Sequence, residues 1–136
     1  MVKIISWNVN GIRSKSMDLI RKEKCRNLEC NFSKLIDKYD PDIICLGETK
    51  CQQKHENDLN KYIPFKYKIW NSSKEKLGYS GVSVFSKLPF KDMGSIPGLE
   101  DDNFGRNLYL EFEKFILINV YVPNSGGEKD NYRRDW

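Results

Sequence analysis

The sequence predicts an α/β fold. Three observations carry that prediction. Two short runs rich in β-branched residues, 2–9 and 42–48, read as strands, and the stretch between them ends in helical spacing. More short apolar runs follow as far as Val122, separated by Gly- and Pro-bearing turns. At 136 residues the chain is at most one ordinary domain.

The first run places Val2, Ile4, Ser6 and Asn8 on one face and Lys3, Ile5, Trp7 and Val9 on the other. Both faces are largely apolar, which predicts a central strand. It leaves through Asn8-Val9-Asn10-Gly11-Ile12-Arg13, where two amides and a guanidinium make a phosphate-facing edge plausible. The same residues also read as an ordinary turn, since Asn tolerates a left-handed backbone and Gly supplies positive φ. Residues 17–39 follow a helical pattern with a break near 27–31. In the second piece Phe32, Leu35, Ile36 and Tyr39 form one stripe, and Pro41 stops the helix. A strand, a helix and a second strand in this order bring the two strand ends together if the strands run parallel. Asn8 and Asn10 would then lie beside Glu48 at the C-terminal edge of a sheet, where α/β folds place ligands.

Later elements are shorter. Residues 52–61 suit a short helix and 65–70 a weak strand. A loop at 72–81 carries two glycines around Tyr79. Residues 81–86 read as a strand, 94–105 as a loop, and 107–112 with 115–122 as a hairpin turning at Glu113-Lys114. Residues 129–136 read as the start of a helix.

Composition narrows the class. The apolar fraction of 39% suits a packed core rather than disorder. The net charge is +4, and residues 13–26 carry six Lys and Arg against Asp18 and Glu23. A mildly basic domain suits a polyanionic partner, although a solvated Lys-rich surface has the same composition. Cys25, Cys30, Cys45 and Cys51 form no Cys-x-x-Cys pair, and the one histidine is His55, so a zinc site is poorly supported. Such cysteine usage suits a reducing, intracellular setting, in nucleus or cytoplasm. No signal-peptide core and no run of membrane-spanning length occurs.

The run Asp42-Ile43-Ile44-Cys45-Leu46-Gly47-Glu48-Thr49-Lys50 ends on a carboxylate. Alternation puts Asp42, Ile44, Leu46 and Glu48 on one face. An acid ending a buried strand is costly unless something there needs negative charge, and a hard cation such as Mg²⁺ meets that need. An exposed Glu in a surface ion pair is the plainer alternative.

Four elements occur in order: Ser6-Trp7-Asn8-Val9-Asn10-Gly11-Ile12-Arg13; the run ending at Glu48-Thr49-Lys50; Gly78-Tyr79-Ser80-Gly81-Val82; and Asn119-Val120-Tyr121-Val122-Pro123-Asn124. Gly105-Arg106 stands between the last two, and Tyr132-Arg133 and Trp136 follow them. Together they resemble the exonuclease III family of apurinic/apyrimidinic endonucleases, within the endonuclease/exonuclease/phosphatase superfamily. The resemblance spans residues 1–136 and only the N-terminal half of the family's domain. It implies about half of a four-layer α/β sandwich, as one mixed β-sheet with helices on its outer face.

The resemblance also implies roles. Glu48 is similar to the family's metal-binding glutamate, with Asn10 and Asn8 supporting the site. Arg13, Tyr79 and Arg106, with Asn8, match positions that contact DNA. Tyr121 and Asn124 match positions that hold the scissile phosphate beside Glu48 in catalysis. The implied cofactor is Mg²⁺, with Mn²⁺ as a substitute, and the implied reaction is Mg²⁺-assisted hydrolysis of DNA 5′ to an abasic site, with 3′ exonuclease activity in many members. Gly47 departs from the family's usual Gln. Phe104 stands where an acidic residue is common, and the segment joining the first two strands is longer than usual.

The family's Gly-Asp-x-Asn and Ser-Asp-His motifs do not occur in this sequence. His55 cannot replace them from its place just after Glu48. The chain is thus expected to need the missing C-terminal half of the domain. Leu108, Leu110, Phe112 and the apolar residues of the last strand are expected to lie exposed. A non-catalytic remnant that binds nucleic acid is one alternative. Another superfamily enzyme, a retrotransposon-type endonuclease or a phosphoesterase, is a second, disfavoured by residues 76–82.

Overall fold

The computed structural model describes residues 1–16 and 32–123. Chain order is β1 (Ile4–Asn8), α1 (Ile12–Lys15), α2 (Phe32–Tyr39), β2 (Ile43–Gly47), α3 (Gln53–Asn60), β3 (Tyr67–Asn71), β4 (Val82–Ser86), β5 (Asp92–Gly94), β6 (Asn107–Glu111) and β7 (Ile116–Val120). The expected helical break near 27–31 and the helix start at 129–136 lie outside the described residues.

The strands divide between two sheets, not one. A mixed sheet runs β1-β2-β4-β3, and an antiparallel sheet runs β5-β6-β7. β1 and β2 are parallel, with Ile4 opposite Ile43 and Asn8 opposite Gly47. The predicted β-α-β unit therefore does bring the two strand exits side by side.

β2 explains the layering. Ile44 and Leu46 face a cluster with Val9, Phe32 of α2, Leu59 of α3, Phe65 and Phe85. Ile43 and Cys45 face the other way, against Val82, Val84, Leu108, Leu110 and Phe112. The helices thus pack on one face of the first sheet and the second sheet packs on the other. Phe32 meets Phe85 edge-on at 6.1 Å and stacks on Trp7 at 6.3 Å. Burying one such ring contributes about 1.5–3 kcal/mol.

Two expectations are corrected here. Leu108, Leu110 and Phe112 are buried, because the first sheet covers them. The residues left exposed are Ile116, Ile118, Val120 and Val122, on the opposite face of β7. β1 is an edge strand rather than a central one. Trp7 packs inward on the helix side, but Ile4, Ser6 and Asn8 lie exposed on the side facing the second sheet, which does not reach over them. Among the described residues no helix is long and apolar enough to cross a membrane.

Candidate active site

The strand exits are laced together by backbone hydrogen bonds beyond the strands themselves. The amides of Val9, Gly11 and Ile12 donate to the carbonyls of Gly47, Glu48 and Thr49 at 3.0, 2.9 and 2.9 Å. The amides of Thr49 and Lys50 donate to Gly81 and Ser80 at 3.0 and 2.8 Å. Gly81 N–H donates to Gly105 O at 3.0 Å, and Tyr121 N–H donates to Arg106 O at 2.7 Å. Segments separated by more than a hundred positions in sequence thereby form one rim.

Three side chains converge on this rim. The Lys50 ammonium donates to Asn10 Oδ1 at 2.6 Å and lies 3.9 Å from Glu48 Oε2. All three residues have left-handed backbones, with φ of 44° at Asn10, 50° at Glu48 and 51° at Lys50. Asn accepts that region readily, whereas for Glu and Lys it costs on the order of 1–3 kcal/mol each. Glu48 sits one residue past the end of β2, so the turn, not the pleat, sets its direction. Asn10 N–H donates to Asn8 Oδ1 at 3.1 Å, which orients the Asn8 carboxamide.

The facing groups are one carboxylate and carboxamide oxygens, a donor set that suits a hard cation. Among the described residues no three His, Cys, Asp or Glu side chains gather as a metal cluster. Beside the rim lies a cleft of about 210 Å³, lined by Ser6, Asn8, Gly47, Asn119, Tyr121 and Val122 among others. Asn119, buried in β7, donates through Nδ2 to Leu46 O and Ser83 O, both at 3.0 Å, and so joins the two sheets at the cleft floor.

The family model described as "Endonuclease/Exonuclease/phosphatase family" matches residues 5–136. The chain belongs to this family. It is 40% identical to the exodeoxyribonuclease of Bacillus subtilis over 99% of its length, covering 49% of that protein. It is 36% identical to the DNA repair nuclease APEX1 of Danio rerio, again over 99% of its length, covering 41% of that protein. Its structure resembles an AP endonuclease from Archaeoglobus fulgidus with a TM-score of 0.65 at 27% identity, covering all of this chain and 48% of that one. The chain therefore spans about half the length of the relatives it matches.

Within this family framework the singled-out residues lie in different places. Asn8, Asn10 and Glu48 come together at the rim, with Tyr121 across the cleft. Arg13 is exposed on α1, near enough to help lower the His55 pKa, an effect led by partial desolvation. His55 belongs to the first turn of α3, where its Nδ1 accepts from Gln52 N–H at 3.3 Å as part of a capping box. Tyr79 meets Phe104 edge-on at 6.1 Å, with the Lys76 ammonium 5.1 Å from its ring. Asn124 lies outside the described residues.

Arg106 is held within the fold. Its side chain and that of Asp102 are each only 5% exposed, and the guanidinium grips Asp102 through Nε at 3.0 and 3.1 Å and NH2 at 2.6 Å. This pairing braces the 99–106 loop. Motif reading contains Lys50 and Asn119 but assigns them no role, and it passes over Asp102, yet each left a sign. Lys50 continues the alternation two residues after Glu48. Asn119 is a lone amide in an apolar alternation, and Asp102 precedes Arg106 by four.

Proposed function

We propose that this chain forms the N-terminal part of a divalent-metal-dependent nuclease that hydrolyses DNA at abasic sites. The observation that carries the reading is the meeting of Asn10 Oδ1 and Glu48 around a cationic centre, the Lys50 ammonium, on a strained rim beside the Asn8–Tyr121 cleft. A lysine nitrogen standing between two oxygens is a stand-in for a metal ion, so the residues fit Mg²⁺ or Mn²⁺. Glu48 would hold the ion through its carboxylate and Asn10 through its carboxamide, and water would complete the shell. When bound, such an ion offsets charge on a phosphodiester and its leaving oxygen.

The chain's own residues bind and orient the phosphate. Asn8 keeps Oδ1 engaged with Asn10 N–H, which leaves its Nδ2 for a phosphate oxygen at the cleft. Tyr121 brings a phenol to the opposite wall, and Arg13 offers a guanidinium on the exposed side of α1. A nuclease role is supported by the DNA-directed names of the relatives, and an abasic substrate by the AP endonuclease among the similar structures.

The water-activating half of the site has no counterpart here, since Gly-Asp-x-Asn and Ser-Asp-His are absent from the sequence. A further segment or chain supplies it in this reading. The exposed Ile116, Ile118, Val120 and Val122, with β1 and β7 at sheet edges among the described residues, support a covering partner. The test is incision of an abasic-site duplex in Mg²⁺. The 136-residue chain alone should leave the duplex intact, and robust Glu48-dependent incision by it would overturn the split-site reading.

A further inference from the structure

We propose that Lys50 is a tethered counter-cation: its ammonium holds the Asn10–Glu48 seat until a divalent ion displaces it, and so lowers the site's affinity for that ion. The inference rests on the reading of Asn10 and Glu48 as metal-binding residues.

The geometry separates this role from an ordinary surface ion pair. Lys87 approaches Asp40 to 2.7 Å and Lys61 approaches Asp58 to 3.3 Å. Lys50 instead takes its short contact, 2.6 Å, with the neutral Asn10 oxygen and stands off Glu48 at 3.9 Å. It sits between two oxygens from two strand exits, as a shared ion does. Its backbone prepares this position: φ is 51°, and its amide is tied to Ser80 O at 2.8 Å. The side chain is 47% exposed, so it has solvent to swing into once displaced. Backbone hydrogen bonds hold the two strand exits together, and the ammonium supplies positive charge between the Asn10 and Glu48 oxygens at their strained backbone positions. The ammonium holds the site formed in the absence of metal. It also opposes metal entry, since like charges within a few ångströms repel.

The test titrates Mn²⁺ into the full 136-residue chain and reads free Mn²⁺ by electron paramagnetic resonance. Lys50→Met should bind Mn²⁺ on the order of tenfold more tightly than the parent. Lys50→Gln, which is polar and uncharged, should show the same gain, and Lys50→Arg should show none. Thermal melting gives a second readout. Lys50→Met should melt below the parent without metal and recover more on adding Mn²⁺. Circular dichroism checks that each variant folds, and the two uncharged variants back each other.

Mn²⁺ binding that is lost in Glu48→Gln but unchanged or weakened in both uncharged variants would overturn the role of Lys50 and leave the metal reading intact. Mn²⁺ binding indifferent to Glu48→Gln would overturn both.

Discussion

Gly105 sits where three backbone groups of the 71–73 segment close around it. A Cβ there would lie 2.6 Å from Asn71 O and 2.7 Å from Ser73 N, at a φ of +65°. Neither neighbour is the end of a flexible side chain, so nothing can yield cheaply. Gly105→Ala should destabilise the chain by at least about 2 kcal/mol in urea unfolding, and an unchanged midpoint would contradict the close approach. Its neighbour Arg106 belongs to the same argument. Arg106→Met strands the buried Asp102 carboxylate and should cost about 3–5 kcal/mol of stability. Replacing Asp102 as well should recover much of that, and no recovery would contradict the pairing. Sequence alone does not show that Asp102, four residues earlier, pairs with this charge. Cys45 and Cys51 are quieter: burial pushes both thiols up to about 11. At pH 8 they should resist iodoacetamide in the folded chain and react on unfolding, as read by mass spectrometry of their peptides.

At the scale of elements, β2 organises the structure. Its β-branched run was legible as a strand because both faces are apolar, and both are indeed covered, by helices on one side and by the second sheet on the other. The parallel pairing with β1 was legible too, because a strand, a helix and a strand connect in few ways. Alternation tells which residues share a face, but not which face is covered. That is why β1 read as central and stands at an edge, and why Leu108 and Leu110 were expected in solvent while Ile116 and Ile118 occupy it. β5, three residues long, has too short a run to show any period. The nearness of Asn8, Asn10 and Glu48 was legible, because all three stand at the exits of strands that pair in parallel. The linkage among those exits was not, since it runs through backbone groups that every residue carries. Asn119 is the side-chain part of that linkage. Asn119→Leu leaves Leu46 O and Ser83 O without their donor and should cost roughly 1–3 kcal/mol by denaturant unfolding. An equal or greater stability would mean that the bridge between sheets is dispensable.

For the whole molecule, the exposed apolar residues Ile116, Ile118, Val120 and Val122 form a liability along and just past the edge strand β7 among the described residues. Such a surface favours association. The isolated chain should sediment as a concentration-dependent mixture of monomer and larger species. Ile118→Lys, placed on an exposed position, should shift it toward monomer without lowering the melting temperature. A strictly monomeric parent at high concentration would count against an uncovered interface. The chain spans about half the length of these relatives, and in the proposed function it contributes the metal-holding side of an active site.

The most direct measurement combines the chain with a segment that carries the Gly-Asp-x-Asn and Ser-Asp-His motifs and follows Mg²⁺-dependent incision of an abasic-site duplex. Incision should need both components, and Glu48→Ala should slow it by at least ~100-fold. Incision at an unchanged rate in the Glu48→Ala variant would contradict the assignment of this carboxylate as the centre of the site.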